Sequence, residues 1–202
     1  LLAGIALVYL FGNQGIIKSI LLGHSIYGPI GIIIAETFYT FPHALLIIIT
    51  AFSIADSRTY EAAISLRAKP LKVFFTVTLP GIRYGLISAA FVVFTLVITD
   101  FGIPKVIGGK FNVLAVDIYK QVIGQQNFGM GAVVSVVLMI PAMCAFIVDR
   151  IVQKKQITLL SSRAVVFEPK KSLGFDFLMF LYCVLISILI LTILGMCQFA
   201  AL

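Results

Sequence analysis

The residues best suited to chemistry in this sequence are a glutamate and a histidine set within apolar sequence. Glu36, Thr40 and His43 are spaced so that a helix would place them on one face. An ionisable side chain at membrane depth costs roughly 2.5–3.5 kcal/mol on insertion scales and must face protein or water. The three residues could line a translocation path or gate, relay protons, or hydrogen-bond neighbouring helices, and we favour the last interpretation.

A second candidate site follows the next apolar run. Asp100 ends that run, and the glycines and proline of "DFGIPKVIGGKFN" predict irregular backbone rather than a regular helix. A Gly108-Gly109-Lys110 turn could direct backbone N–H groups and an ammonium group toward an anionic solute. The same turn could equally be a simple connector. Residues 113–123 after it have helical spacing and predict a short helix lying on the bundle.

The sequence lacks the patterns of catalytic, nucleotide and metal sites. It has no H-E-x-x-H pair of histidines, no C-x-x-C pair and no P-loop pattern G-x-x-x-x-G-K-[ST]. Cys144, Cys183 and Cys197 all lie in apolar runs, where we expect free thiols that behave as small apolar side chains. We therefore expect this chain to be no enzyme and to bind no cofactor and no metal.

The elements that hold these residues are predicted to be membrane helices. Of the 202 residues, 61% are hydrophobic and 11% are charged, against roughly 45–50% and 25% in soluble domains. A helix needs about 20 apolar residues to cross a bilayer, and four stretches qualify, at about 29–55, 84–101, 127–148 and 175–200. Both ends of the sequence lie in apolar runs, so we expect a fragment of a longer polypeptide.

The basic residues are unevenly distributed between the predicted loops. Segments 56–83 and 149–174 hold eleven of the fifteen lysines and arginines. Cytoplasmic loops of membrane proteins carry such an excess, which predicts that these two segments face the cytoplasm. The formal net charge of +7 is then explained by membrane topology, and we expect no nucleic-acid partner.

Residues 56–83, called the EAA segment below, interrupt the apolar sequence with charged residues at helical spacing. Asp56 is a favourable N-cap for a helix over about 58–68. Pro70 suits the first turn of a second short helix, which Leu79-Pro80 would close. Two short helices at an angle would protrude from the membrane, either as a docking element for another protein or as a solvated loop.

The EAA segment resembles a loop of the inner-membrane permeases of binding-protein-dependent ABC importers. The family pattern is E-A-A, three residues, G, nine residues and I-x-L-P. The matching positions are Glu61-Ala62-Ala63, Arg67 in place of the glycine, and Val77-Thr78-Leu79-Pro80. By this resemblance the segment seats in a cleft of an ATP-binding subunit and couples it to the membrane helices. Arg67 departs from the pattern, and we expect Pro70 to supply the break instead.

Longer stretches, such as "FYTFPHALL" and "DIYKQVIGQQNFGMGAVVS", resemble permeases assigned to 2-aminoethylphosphonate uptake, which are related to iron(III) and putrescine permeases. The resemblance implies an all-α, polytopic transmembrane helical bundle of the type I ABC importer (MetI-like) fold in the bacterial inner membrane. It assigns residues 1–150 to the later part of a first permease domain, 151–174 to a cytoplasmic linker and 175–202 to the first span of a second half. The linker could instead be an amphipathic helix on the membrane surface.

The resemblance also implies partners outside this chain. They are cytoplasmic ATP-binding cassette subunits, which hold ATP and Mg, a periplasmic solute-binding protein, the second permease half in the same chain, and the lipid bilayer. The expected cargo is 2-aminoethylphosphonate, with iron(III) or a polyamine as the alternative. A transporter of another class stays open, a proton-coupled secondary carrier that uses Glu36 and His43.

Overall fold

The computed structural model of the protein describes residues 2–12, 15, 25–159 and 173–201, and helices are the regular elements of these ranges. Two π-helical turns accompany the α-helices, Phe74–Thr78 between α4 and α5 and Lys120–Gly124 after α7. The α-helices are α1 (Leu2–Phe11), α2 (Pro29–Ser53), α3 (Ser57–Ser65), α4 (Pro70–Val73), α5 (Leu79–Thr99), α6 (Gly102–Ile107), α7 (Leu114–Tyr119), α8 (Phe128–Leu159) and α9 (Leu173–Ala201).

In the described part of the chain, four helical stretches are long and apolar enough to cross a membrane, which confirms the four predicted spans. Pro42 lies inside α2 and Pro141 inside α8. Transmembrane helices tolerate such prolines because neighbouring groups re-satisfy the freed backbone. The four stretches are Pro29–Ser53, Pro70–Thr99, Phe128–Lys154 and Leu173–Ile193.

The predicted linker is helical where it begins. Helix α8 continues to Leu159, so the first nine residues of the predicted linker, 151–159, extend the third span. Residues 160–172, which make up most of the rest of that linker, lie outside the described residues.

The prediction of irregular backbone after Asp100 was wrong for residues 102–107, which form α6. The Asp100 Oδ2 atom accepts the Ile103 N–H at 2.8 Å and so satisfies one backbone donor at the start of the helix. Pro104 stands in the first turn, where a helix does not need the N–H that proline lacks. A proline and a glycine therefore fit this short helix because of where they stand in it.

The chain separates into two compact units. The first consists of Leu1–Tyr39, Ile98–Met139 and Lys171–Leu202. In it, α1 packs against α6 and α9, and the side chains of Leu7, Ile103 and Ile107 are fully buried. A Cβ atom on Gly4 would lie 3.5 Å from the Ile103 Cα atom, an ordinary van der Waals distance, so α1 and α6 pack in contact at this level.

The second unit, Thr40–Val97 and Ile140–Lys170, carries the EAA segment. Among the residues of this unit whose burial is described, those that are buried are, apart from Ile82, small or polar: Thr40, Ala51, Ser57, Ala63, Gly85, Ser88, Ala89, Ala145 and Asp149. Small residues let membrane helices approach one another closely, since bulky side chains gain nothing over lipid there. Small and polar side chains therefore occupy most of the described buried positions of this unit.

Candidate functional site

Helix α3 begins one residue before the predicted start, at Ser57, directly after its N-cap. Asp56 has extended backbone angles, φ −79° and ψ 121°, and its side chain accepts the Arg58 N–H at 3.1 Å. The Thr59 hydroxyl donates to the Asp56 carbonyl at 2.8 Å. An N-cap of this type is typically worth about 1 kcal/mol, so local hydrogen bonds fix the start of the EAA segment.

Helix α3 ends at Ser65 with Leu66 as its C-cap, and the next residue, Arg67, is left-handed, with φ +51°. The Arg67 N–H donates to the Ile64 carbonyl at 2.9 Å, and the Ala68 N–H donates to the Ala63 carbonyl at 3.1 Å. These two bonds form a Schellman motif, in which the left-handed position is usually glycine. A side chain there costs about 1–2 kcal/mol because Cβ crowds the following carbonyl oxygen.

The expectation that Pro70 makes the break in place of the motif glycine was therefore wrong. Arg67 itself adopts the conformation that glycine adopts freely. Pro70 has a separate part as the first residue of α4, and Lys69 before it is extended, with φ −64° and ψ 148°. Two devices, a left-handed residue and a helix-starting proline, thus separate α3 from α4.

The three motif residues of α3 differ in exposure. Glu61 and Ala62 are exposed, whereas Ala63 is only 9% exposed. Ala63 also provides the carbonyl that closes the Schellman motif. A larger side chain therefore has room at Ala62 and little room at Ala63, and the helix presents Glu61 and Ala62 to whatever approaches the segment.

The part of the EAA segment that begins at Pro70 is called its second limb below. Its helix does not end at Leu79-Pro80 as predicted. One helical stretch runs from Pro70 to Thr99 through the π-helical turn. The Leu79 N–H donates to the Phe74 carbonyl, five residues earlier. In a regular α-helix the Pro80 ring would clash with the carbonyl four residues earlier, and the wider π turn relieves that clash. Leu79 and Pro80 therefore join the exposed limb directly to a membrane span.

Large apolar side chains of the EAA segment are exposed. Leu66 is 83% exposed, Leu71 is 75% exposed and Ile64 is 59% exposed. Exposed apolar side chains this close together in the sequence, with charged residues between them, favour a contact surface for protein or lipid. The charged residues between and beside them are exposed as well: Glu61, Arg67, Lys69 and Lys72.

In the first unit the structure brings two of the predicted path residues together. Glu36 of α2 is 4% exposed, and Asp100 lies close enough to act on it electrostatically. Asp100 also accepts the Ile103 N–H, so its carboxylate serves the start of α6. Within the described ranges, no group of three or more His, Cys, Asp or Glu side chains could hold a metal ion.

The other predicted path residues are placed differently. Thr40 is 5% exposed, whereas His43, on the same helix, is exposed. The Gly108 N–H donates to the Pro104 carbonyl at 2.8 Å and is therefore already used within α6. Gly109, with φ +58°, and Lys110 are exposed. Whether any of these residues meets a solute stays a prediction.

Sequence reasoning missed a buried polar cluster in the second unit. The Asp149 carboxylate accepts hydrogen bonds from the side chains of Ser88 and Gln153. The sequence analysis assigns Asp149 to the predicted cytoplasmic segment 149–174, directly after the third apolar run, and gives it no partner. Two signals could have found it, the four-residue spacing of Asp149 and Gln153 and the placement of Ser88 beside small residues of α5.

Comparison with known proteins identifies relatives for most of the chain. Residues 1–158 match the family described as binding-protein-dependent transport system inner membrane component. Among individual relatives, the molybdenum transport system permease protein ModB of Azotobacter vinelandii is 36% identical over 96 residues, which is 46% of this chain and 42% of that protein.

Two further relatives carry other names. The ferric transport system permease protein FbpB of Actinobacillus pleuropneumoniae is 30% identical over 125 residues, 61% of this chain and 18% of that protein. The sulfate transport system permease protein CysW of a Synechocystis strain is 32% identical over 111 residues, 54% of this chain and 40% of that protein. The matched part of the chain thus spans less than half the length of these relatives.

Proposed function

The chain belongs to the family of binding-protein-dependent transport system inner membrane components, and from that premise we propose that it is part of the permease of an ATP-driven importer. Family membership and the apolar helices make it a multi-pass inner-membrane protein with the all-α, type I importer fold. In this proposal the chain forms part of the path for a small solute, and a separate cytoplasmic subunit hydrolyses ATP. Helix α9 is the first span of a second permease half.

The observation that carries the proposal is the construction of the EAA segment. Local hydrogen bonds hold its shape at Asp56 and Arg67, while Leu66 and Leu71 are left exposed. A segment with a fixed shape and a free apolar surface is suited to docking, since little conformational entropy is lost on binding. The docked partner is the ATP-binding subunit.

The docked part of the EAA segment is continuous with a membrane span, so movement of a docked partner can move that span. The limb that begins at Pro70 is continuous with α5 up to Thr99. When the ATP-binding subunits close on ATP, a shift of the docked limb is passed to this span. Docking of a loaded binding protein on the other side of the membrane and closure of the ATP-binding subunits then open the path toward that side. Hydrolysis of ATP resets it.

For the cargo we propose 2-aminoethylphosphonate, on the sequence resemblance given above. Iron(III) is the second candidate, which the relatives named as ferric permeases support. A polyamine is the third. These cargoes differ in charge, so competition among them in one uptake assay separates the candidates.

Uptake by the complete transporter in proteoliposomes tests the proposal. The expected result is uptake of labelled 2-aminoethylphosphonate that needs ATP on the side of the ATP-binding subunits and the binding protein on the other. Uptake of iron(III) alone would shift the cargo and keep the mechanism. Uptake driven by a proton gradient without ATP-binding subunits would contradict the mechanism and favour a secondary carrier that uses Glu36 and His43.

A further inference from the structure

A buried polar cluster joins two helices of the second unit. The Ser88 hydroxyl of α5 donates to the Asp149 Oδ1 atom of α8 at 2.5 Å, and the Gln153 Nε2 atom donates to the Asp149 Oδ2 atom at 2.7 Å. Ser88 is 3% exposed and Asp149 is 8% exposed. Both oxygens of one buried carboxylate are therefore held by donors, one from each helix.

The surroundings of the cluster allow the two helices to approach closely. On α5 the buried residues next to Ser88 are Gly85 and Ala89. On α8, Ala145 is buried one turn before Asp149. Small side chains such as these do little to fix the position of one helix relative to the other. The Ser88–Asp149 hydrogen bond is therefore a specific contact that can fix it.

The cluster lies on the helix that begins in the EAA segment. Pro70 and Ser88 belong to one helical stretch, and Ser88 stands eighteen positions after Pro70, which corresponds to about 27 Å of helix. A helix of this length transmits a tilt or shift of its exposed end to the position of Ser88. At that position the hydrogen bond from Ser88 to Asp149 connects this helix to α8.

We propose that the Ser88–Asp149–Gln153 cluster is the joint through which movement of the EAA segment reaches α8, with Asp149 as the positioning residue. The proposal rests on the proposed function, since it assigns a part in coupling ATP hydrolysis to transport. Gln153, one turn after Asp149, keeps the carboxylate oriented toward Ser88. A carboxyl group suits this part because each of its two oxygens accepts one of the two hydrogen bonds.

The experiment measures uptake and ATP hydrolysis together in the complete transporter. Asp149→Leu removes both acceptors, and Ser88→Ala removes only the donor from α5. Both variants are expected to keep the bound ATP-binding subunits and to hydrolyse ATP within about twofold of the wild-type rate. Uptake per ATP hydrolysed should fall at least about fivefold, the lower range of measured coupling between sites.

Two variants serve as matched controls. Asp149→Asn should restore coupling, because its amide can accept from Ser88 and donate to Gln153 once the Gln153 amide rotates. Ser135→Ala removes another hydroxyl from α8, one that donates to the Gly131 carbonyl of its own helix at 2.8 Å, and should leave coupling unchanged.

The outcomes separate the possible failures. Normal uptake per ATP in both Asp149→Leu and Ser88→Ala would overturn the joint. So would loss of uptake in proportion to loss of assembled transporter, because that result indicates a role in stability alone. If Asp149→Leu does not accumulate in the membrane, Ser88→Ala decides between these outcomes. A wild-type transporter without ATP-dependent uptake would instead overturn the proposed function.

Discussion

The EAA segment of the second unit and residues 100–127 of the first unit, called the α6–α7 segment, contain the same parts. Each has two short helices, a π-helical turn and one left-handed residue that is not glycine. The left-handed residues are Arg67, with φ +51°, and Gln126, with φ +52°. Both segments also use an aspartate, Asp56 or Asp100, to hold the start of a short helix.

The two segments differ in what their side chains contact. In the α6–α7 segment, Ile103 and Ile107 are buried in the core of the first unit. The centroids of the Tyr119 and Phe101 rings lie 5.1 Å apart, and the Lys105 Nζ atom lies 4.4 Å from the Tyr119 ring centroid. In the EAA segment, by contrast, α4 has no buried residue.

The same capped helix starts, π-helical turns and left-handed residues thus occur in one segment that is packed into a core and in one whose apolar side chains are exposed. Core packing holds the α6–α7 segment in place, so its caps and turns are supported by many neighbours. Local hydrogen bonds hold the EAA segment, so its apolar side chains stay available to a partner. A segment that must bind and release another protein benefits from a shape that does not depend on that protein.

The largest expected effect comes from charge changes in the motif of the EAA segment. Glu61→Lys reverses an exposed charge, and Ala63→Glu places a carboxylate at a position that is 9% exposed. Each should abolish uptake and co-purification of the ATP-binding subunit, with binding weakened at least about thirtyfold, as for an interface hot spot. Membrane insertion should stay intact.

The matched control for these variants is Lys110→Glu, a charge reversal at an exposed residue of the α6–α7 segment. It should leave co-purification of the ATP-binding subunit unchanged. Equal uptake in wild type, Glu61→Lys and Ala63→Glu would remove the docking role from the EAA segment.

A pair of alanine variants should show opposite behaviour in the two segments. Ile103→Ala deletes a side chain that is 1% exposed and should lower the free energy of unfolding by about 2–5 kcal/mol. Leu66→Ala deletes a side chain that is 83% exposed and should change it by less than about 0.5 kcal/mol.

Leu66→Ala should nevertheless weaken binding of the ATP-binding subunit, whereas Ile103→Ala should affect binding only as far as it reduces folded protein. Denaturant unfolding in detergent and a binding titration on the same samples provide both numbers. A Leu66→Ala variant that is destabilised and binds the ATP-binding subunit normally would contradict the prediction that Leu66 serves binding rather than stability.

Glycine substitutions at the two left-handed residues sharpen the comparison further. Arg67→Gly and Gln126→Gly should each relieve crowding of Cβ and stabilise the local turn by about 1 kcal/mol. Arg67→Val should act in the opposite direction because a β-branched residue tolerates this conformation poorly. Hydrogen exchange of the Ala68 amide, which donates to the Ala63 carbonyl, reports the change at Arg67 directly. Faster exchange in Arg67→Gly would contradict the assignment of strain.

The smallest expected effect concerns the cation above the Tyr119 ring. Lys105→Gln removes the charge and should destabilise the α6–α7 segment by about 0.5–1 kcal/mol. Lys69→Gln, a matched loss of charge at an exposed residue of the EAA segment, should have no measurable effect on the free energy of unfolding. Thermal unfolding of the two variants side by side decides the matter, and equal midpoints would show that the ring contact contributes nothing.

The sequence predicted the spans and the start of α3 because both depend on local properties, the length of an apolar run and a capping side chain. It did not predict that Arg67 takes the glycine conformation, since the Schellman bonds to Ala63 and Ile64 outweigh the intrinsic preference of arginine. It also placed a helix end at Pro80, because a proline inside a helix normally breaks it and a π turn cannot be recognised from composition.

The sequence also predicted only those parts of the candidate site that depend on local spacing. The Glu61 motif is contiguous in sequence and could be found by its spacing. The pairing of Glu36 with Asp100 and of Ser88 with Asp149 joins positions more than sixty residues apart. Such pairs depend on how the helices pack, and helical spacing along one segment contains no information about the neighbouring helix.

Site-specific photocrosslinking from Ala62 in intact cells tests the central claim most directly. Ala62 is exposed on α3, so it accepts a bulky photoreactive residue without disturbing the buried Ala63. The claim predicts a covalent product with the ATP-binding subunit from position 62 and none from position 110 in the α6–α7 segment. A product from neither position, or reaction of position 62 with a label confined to the outside of the cell, would contradict it.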